Sequence, residues 1–174
     1  MAAISRSRRS SSGIALIVAG ALFVLASLLP LLNVSFPWFF VLAYAAMAVA
    51  FVILGLGAVN NTVAKIALFA GAVGWALLVI SALGVALPGV LLTIAALVAG
   101  LGGLVGAIVI YVGKEITNTP ALVFVVAAIL GVLFVLGAVG TVAFGSFGVV
   151  ITVLFGVALI AAGVLFRRTE GSRR

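Results

Sequence analysis

The chain contains no cysteine and no histidine, and it has very few charged residues. Without cysteine it can form no disulfide, no thiolate metal site and no thiol nucleophile. Without histidine it lacks the usual proton shuttle and the commonest metal ligand in proteins. Charged residues make up 6% of the 174 residues, whereas soluble globular proteins have about 25%. Such a composition leaves little material for an active site.

Apolar residues take the place of the missing charges. They make up 67% of the chain, and the mean hydropathy is +1.61. A soluble domain of this length could bury a good core, but it would have almost nothing polar to cover that core. A lipid bilayer is the solvent in which this problem disappears. The composition therefore predicts an integral membrane protein.

A membrane-spanning helix needs about 20 apolar residues. Cutting the sequence at prolines, asparagines and charges gives six windows of about that length, namely residues 13–33, 38–58, 66–87, 89–112, 121–140 and 146–166. Each window is continuously apolar, whereas a strand of a membrane barrel alternates over about ten residues. The sequence thus predicts an all-α bundle of six transmembrane helices in residues 13–166, arranged as three hairpins. Residues 1–12 and 167–174 would be basic tails.

The first window follows a basic segment, as the apolar core of a secretory signal peptide does. However, the window is longer than a normal signal-peptide core, and no convincing small-residue cleavage site follows it. We therefore favour a retained membrane helix over a cleaved peptide. Pro30 lies near the end of this helix, where proline removes a backbone hydrogen bond and clashes with the preceding turn. A kink or an early stop is expected there.

The cations indicate how the helices are oriented. With six spans, the tails and the loops at one end carry every cation, including Arg6, Arg8, Arg9, Lys65, Lys114, Arg167 and Arg168. The opposite loops carry no charge at all. Because cytoplasmic loops are enriched in lysine and arginine, both termini are expected in the cytoplasm. The amino-acid composition is rich in arginine, alanine and glycine, which indicates a bacterial protein. The expected location is therefore the plasma membrane of a bacterium.

The net charge of +7 would suggest nucleic acid if the protein were soluble. Here the cations lie in short segments beside apolar runs, which fits anionic lipid headgroups better. The segment "GKEITNTP", which begins at Gly113, is interpreted as one such cytoplasmic turn. Gly113 would end one helix, Lys114 and Glu115 would be solvated, and Pro120 would start the next helix. A site in which Glu115 binds a cation or a partner is the less favoured alternative.

Small residues recur at helical spacing in the fourth and sixth windows. They are Ala95, Ala99, Gly102, Gly103, Gly106 and Ala107 in the fourth window, and Gly148, Thr152 and Gly156 in the sixth. Small residues four apart let two helix backbones approach closely, which favours association in lipid. Packing inside the bundle is the favoured interpretation. The alternative is an interface with another copy or with a partner subunit of a larger membrane complex.

No acidic, basic or histidine residue lies in the middle of any window. Ion-coupled transporters and voltage sensors place ionisable residues at that depth, and intramembrane hydrolases need paired catalytic groups. The hydroxyls of Ser27, Ser81, Thr93 and Thr152 have no base at their depth, and each is expected to bond to a carbonyl of its own helix. We therefore expect no catalytic site, no cofactor and no metal, and we expect the protein not to be an enzyme.

Similar phrases recur in the first helix of each hairpin: "VAGALFVLASLLP", "LFAGAVGWALLVI" and "AILGVLFVLGAVG". They align Gly20, Gly71 and Gly131, and either true repetition or a small residue alphabet explains them. With these glycines the chain resembles the HdeD-like family of small bacterial membrane proteins, which are six-helix chains of hairpins. It is equally similar to uncharacterised actinobacterial membrane proteins. The family is linked to acid stress without an established catalytic site, so the resemblance implies no functional residues.

Two functions remain after these exclusions. The first is a non-catalytic membrane protein that acts through helix packing, either as an accessory or assembly subunit or in membrane stress tolerance. The alternative is a passive channel or facilitator for a small neutral solute. A neutral pore needs sufficient diameter and hydrogen-bonding groups along its length. The sequence offers only scattered hydroxyls, which favours the first function.

Overall fold

The computed structural model describes residues 6–34, 36, 38–57, 61–114, 116, 118–138, 140 and 147–168, and the side chains of residues 6–9 lie outside this description. This part of the chain contains six α-helices and no strand: α1 (Arg6–Leu28), α2 (Trp38–Gly57), α3 (Thr62–Ala82), α4 (Gly89–Val112), α5 (Asn118–Ala138) and α6 (Phe147–Arg168). All six are long and apolar enough to cross a membrane. The predicted all-α membrane bundle is confirmed.

The six helices form a closed ring. Each helix packs against the helices before and after it in the chain, and α1 packs against α6 to close the ring. One end of the ring carries Lys65 in the first turn of α3, Lys114 after α4, and Arg167 and Arg168 in the last turn of α6. We call this the basic end, and α1 also begins there. The turns described at the opposite end, the uncharged end, contain no charged residue.

Helix α1 begins at Arg6 rather than at residue 13, so part of the predicted tail is helical. The reason lies in the contact with α6, because Ser12 and Gly13 are already buried. A Cβ added to Gly13 would lie 2.7 Å from the carbonyl oxygen of Gly163 and 3.0 Å from the side chain of Arg167. Tertiary packing thus extends the helix into a serine-rich segment of modest helix propensity.

Helix α3 also begins earlier than predicted, at Thr62 instead of residue 66. Asn61 is its N-cap: the backbone N–H groups of Val63 and Ala64 donate to Asn61 Oδ1 at 3.0 and 3.3 Å. Asparagine is among the best residues for this position because its side chain satisfies helix N–H groups that have no partner within the helix. The cap lets the helix begin before the apolar window does, with Lys65 inside its first turn.

The early stop predicted at Pro30 is confirmed. The α-helical part of α1 ends at Leu28, and a 3₁₀ helix, Leu29–Leu32, carries Pro30 in its second position. Asn33 follows in the left-handed conformation with φ of 59°, and its N–H donates to the Pro30 carbonyl at 3.1 Å. Asparagine tolerates this conformation better than most residues. The chain thereby turns towards α2.

The turn after α4 differs in one respect from the interpretation of "GKEITNTP". Gly113 ends the helix, but its φ is −72°, and the left-handed residue is Lys114 with φ of 50°. Lys114 is exposed, as expected, whereas Glu115 lies outside the described residues. Pro120 lies inside the first turn of α5, which begins at Asn118. The glycine therefore supplies no special backbone conformation here.

Candidate functional site

The contact between α1 and α6 is made by glycines on both helices. Gly13 lies opposite Gly163, and Gly20 lies opposite Gly156, so the two helices run antiparallel. A Cβ added to Gly156 would lie 2.7 Å from the Gly20 carbonyl oxygen, and one added to Gly163 would lie 2.5 Å from that of Gly13. Real Cβ atoms do not come this close to backbone. The two backbones therefore touch directly, in the manner of small-residue contacts between membrane helices.

A second close contact joins α3 and α4. A Cβ added to Gly74 would lie 2.5 Å from the backbone nitrogen of Ala99 and 2.6 Å from the carbonyl oxygen of Ala95. A Cβ added to Gly102 would lie 2.5 Å from the carbonyl oxygen of Ala67. Neither backbone can move aside as a flexible side chain could. Helices α3 and α4 therefore depend on small residues in the same way as α1 and α6.

The small residues singled out in the fourth window all lie inside the ring. They are Ala95, Ala99, Gly102, Gly103, Gly106 and Ala107, and each is buried in α4. Gly102 faces α3, whereas a Cβ on Gly103 would lie 2.8 Å from the ring of Phe51 and one on Gly106 would lie 2.7 Å from Leu68. This surface is occupied by the chain's own helices.

The three residues singled out in the sixth window separate in the structure. Gly156 faces Gly20, and Thr152 is buried. Gly148 is exposed, and an added Cβ would meet no atom of the described residues within 4 Å, so the structure shows no packing contact for it within this part of the chain. The antiparallel pairing that sets Gly156 against Gly20 brings Gly148 level with Leu28, where α1 ends. Beyond that point the chain continues as the 3₁₀ helix Leu29–Leu32, none of whose atoms lies within 4 Å of an added Cβ at Gly148.

Five glycines in these contacts were not predicted to pack helices together: Gly13, Gly20 and Gly163 between α1 and α6, and Gly71 and Gly74 between α3 and α4. One signal was present, because α1 and α6 each place two glycines seven residues apart. The three glycines aligned as a repeat have different neighbours. Gly20 meets the backbone of Gly156, Gly71 meets both the ring of Phe51 and the backbone of Gly102, and Gly131 meets the ring of Phe155.

The interior of the ring is filled by five aromatic side chains from five helices. We call this group the aromatic core, and it consists of Phe23 (α1), Tyr44 (α2), Trp75 (α3), Phe134 (α5) and Phe155 (α6). Phe23 contacts the other four, with ring centroids 5.0 to 6.2 Å apart. Trp75 stacks on Phe134 and Phe155, with interplanar angles of 18° and 11°. These separations are typical of favourable aromatic pairs.

A small cavity adjoins the aromatic core. It offers about 10 Å³ to the centre of a water molecule. The residues that line it come from α2 to α6 and are Met47, Phe51, Trp75, Ala99, Gly100, Gly103, Phe124, Ala127, Ala128, Gly131, Phe155 and Leu159. Helix α4 contributes only alanine and glycine to this lining. The cavity therefore lies where the small face of α4 meets the rings of its neighbours.

Polar side chains in the spans are few, and most bond locally. The hydroxyls of Ser27, Thr93 and Thr152 donate to the carbonyls of Phe23, Gly89 and Gly148 at 2.8, 3.0 and 2.8 Å, as expected. For Ser81 the structure describes no such bond. Among the described residues, no three potential metal ligands of the Asp, Glu, Cys or His type come together. The interior thus presents rings, aliphatic groups and helix backbone.

These features define a class of protein: a multi-pass α-helical membrane protein whose helices form a ring closed by glycine contacts and filled by aromatic rings. No protein-family model, no curated protein and no solved structure matches the chain.

Proposed function

We propose that this protein is a non-catalytic protein of the bacterial plasma membrane. It acts through helix packing, as an accessory or assembly subunit of a membrane complex. The observation that carries this proposal is the filled interior of the ring. The aromatic core and the small face of α4 occupy the space that a transport pathway or an active site would need. What remains for interaction is the outer, lipid-facing surface and the two ends.

The chemistry of the side chains supports a non-catalytic role. The spans contain no carboxylate, no histidine and no cysteine, and Lys65 lies in the first turn of α3 at the basic end. The three hydroxyls described above are engaged with carbonyls of their own helices. General acid–base catalysis requires a titratable group within hydrogen-bond reach of the reacting atoms. Among the described residues in the middle of the spans, the titratable side chain is the phenol of Tyr44, which packs against the rings of Phe23 and Trp75.

The packing of the interior weighs against a passive channel. A pore for a neutral solute needs a continuous path with hydrogen-bonding groups along it. The cavity beside Trp75 has room for about one water molecule, and the rings of Phe23, Phe134 and Phe155 pack against one another beside it. The small face of α4 is buried as well, so a partner would dock on branched aliphatic side chains of the outer surface.

Orientation and lipid contacts complete the proposal. The basic end would face the cytoplasm, as loops rich in lysine and arginine do. Exposed Lys114 and Arg168 would there meet anionic headgroups. The resemblance to HdeD-like proteins adds a role in membrane stress tolerance to the proposal. Reporter domains fused at either terminus should both be cytoplasmic, and one fused after Ser35 should be external.

The test of this function is a paired measurement on the full chain. Affinity-tagged protein purified in mild detergent should carry a second membrane protein, or another copy of itself, in fixed stoichiometry. In proteoliposomes, the flux of water, glycerol and urea should equal that of protein-free liposomes. The Trp75→Ala variant removes one ring of the aromatic core, so comparing its solute flux with that of the wild type shows whether the packed rings block a path. The proposal would be wrong if solutes crossed wild-type proteoliposomes faster than protein-free liposomes, crossed faster still with Trp75→Ala, and no partner co-purified. The protein would then be a channel.

A further inference from the structure

Among the described residues, Trp75 carries a buried hydrogen-bond donor without a protein partner. Trp75 is 1% exposed. Within the described part of the chain, its Nε1–H is buried and donates to no acceptor. Buried indole N–H groups usually have a partner, because an unpaired donor loses its bond to water and gains nothing in return. An acceptor that is not part of the protein would satisfy this group.

The neighbouring rings explain part of this isolation. Phe134 and Phe155 lie nearly parallel to the indole. The N–H lies in the indole plane, so it does not point at the face of either ring. Phe23 and Tyr44 are tilted, with centroids 6.2 and 5.6 Å from that of Trp75. A contact of the N–H with one of these two ring faces is the competing explanation.

The cavity beside Trp75 has the size of one water molecule. It offers about 10 Å³ to a water centre, close to the minimum of about 10–15 Å³ that one buried water needs. Among the side chains that line it, the indole of Trp75 is the one with an N–H or O–H group. The residue whose N–H lacks a partner is thus one of those that line the cavity.

We propose that this cavity is a binding site for a single water molecule that accepts a hydrogen bond from Trp75 Nε1. A buried water typically makes about three hydrogen bonds, so it needs acceptors of its own. Three lining residues, Gly100, Gly103 and Gly131, are glycines, so helix backbone itself forms the wall there. A backbone carbonyl has a second lone pair that can accept from the water. The site is independent of the function proposed above.

The chain contains two tryptophans, which makes the test selective. In Trp38→Phe, Trp75 gives the single indole N–H signal of the full-length protein in lipid nanodiscs. Proton NMR of the ¹⁵N-labelled indole should show a cross-relaxation peak between this proton and bound water, at the downfield shift of a hydrogen-bonded N–H. The Trp75→Phe variant reports exposed Trp38 as the reference for exchange with solvent.

A cavity-filling variant supplies the matched control. Ala127→Val places two methyl groups at the lining and should remove the water peak, whereas Ala162→Val makes the same change at a buried position outside the lining and should retain it. If Ala127→Val does not fold, the Trp38→Phe spectrum alone decides. An absent water peak, an upfield shift typical of an N–H over a ring face, or a peak to lipid protons instead would overturn the proposal.

Discussion

The contact between α1 and α6 and the interior around Trp75 solve the same packing problem in opposite ways. In the first region, Gly20 and Gly156 bring two backbones together with no side chain between them. In the second, Phe23, Phe134 and Phe155 reach across the ring to meet one another. Apolar side chains gain little by leaving lipid for protein, so close packing must hold the helices together. Glycine provides it where backbones touch, and aromatic rings provide it where they are far apart.

The largest expected effect breaks the backbone contact. Gly156→Leu would force a side chain against the Gly20 carbonyl and Val24, so α1 and α6 would have to separate. Overpacking typically costs about 1–3 kcal/mol, and an unyielding backbone puts this site at about 3 kcal/mol or above. The measurement is the fraction of monodisperse protein that survives heating in mild detergent. Gly148→Leu is the matched control, because an added Cβ there meets nothing. Equal survival of the two variants would remove the distinction between the two glycines.

A smaller effect is expected in the aromatic core. Phe155→Leu keeps an apolar side chain but loses the ring contacts with Phe23, Phe134 and Trp75, and aromatic pairs contribute about 0.5–1.5 kcal/mol each beyond their buried area. The variant should unfold at a lower temperature while still inserting. Phe147→Leu, at a residue 73% exposed in the same helix, should change nothing measurable. If both variants melted with the wild type, ring contacts would not contribute to holding the interior.

The smallest effect lies outside both regions and has the opposite sign. Lys114 has φ of 50°, a conformation that costs an ordinary residue about 1–2 kcal/mol. Lys114→Gly should therefore stabilise the protein by about 1 kcal/mol, measured as a higher unfolding temperature. Lys114→Ala removes the same charge but keeps the Cβ, so it should bring no gain. A gain in both variants would assign the effect to the charge and not to the backbone.

The parts of the fold that depend on local sequence were predictable. Continuous apolar windows predict membrane helices. Pro30 predicts the end of α1 because proline removes a backbone hydrogen bond and clashes with the turn just before it. The start of α1 was not predictable, since the contact of Gly13 with Gly163 and Phe166 joins it to a helix at the other end of the sequence. Likewise, Gly148 follows the same spacing rule as Thr152 and Gly156, yet it lies level with the last residue of α1, and an added Cβ there meets no described atom within 4 Å. The spacing of small residues identifies a helix face that can pack closely. Which of those residues make a contact depends on where the neighbouring helix begins and ends.

The candidate site followed the same division. The small face of α4 was visible in the sequence because six of its residues recur within one helix. The glycine contact between α1 and α6 joins positions at opposite ends of the chain, such as Gly13 and Gly163, and no local pattern links them. The aromatic core combines one ring from each of five helices, so the sequence of any single helix does not predict it. The absence of acidic, basic and histidine residues from the middle of each span, by contrast, was evident from the sequence itself.

The closing contact of the ring has a consequence for the order of assembly during synthesis. Of the six helices, α1 is translated first and α6 last. The glycine face of α1 therefore has no packing partner until α6 emerges from the ribosome. During that interval Gly13 and Gly20 face lipid or insertion machinery, and the interior still lacks Phe155. The ring is thus completed in a single late event, when one helix brings both the backbone contact and the last aromatic side chain. A chain arrested before α6 would leave the glycine face of α1 and the rings of Phe23 and Trp75 without their contacts to that helix.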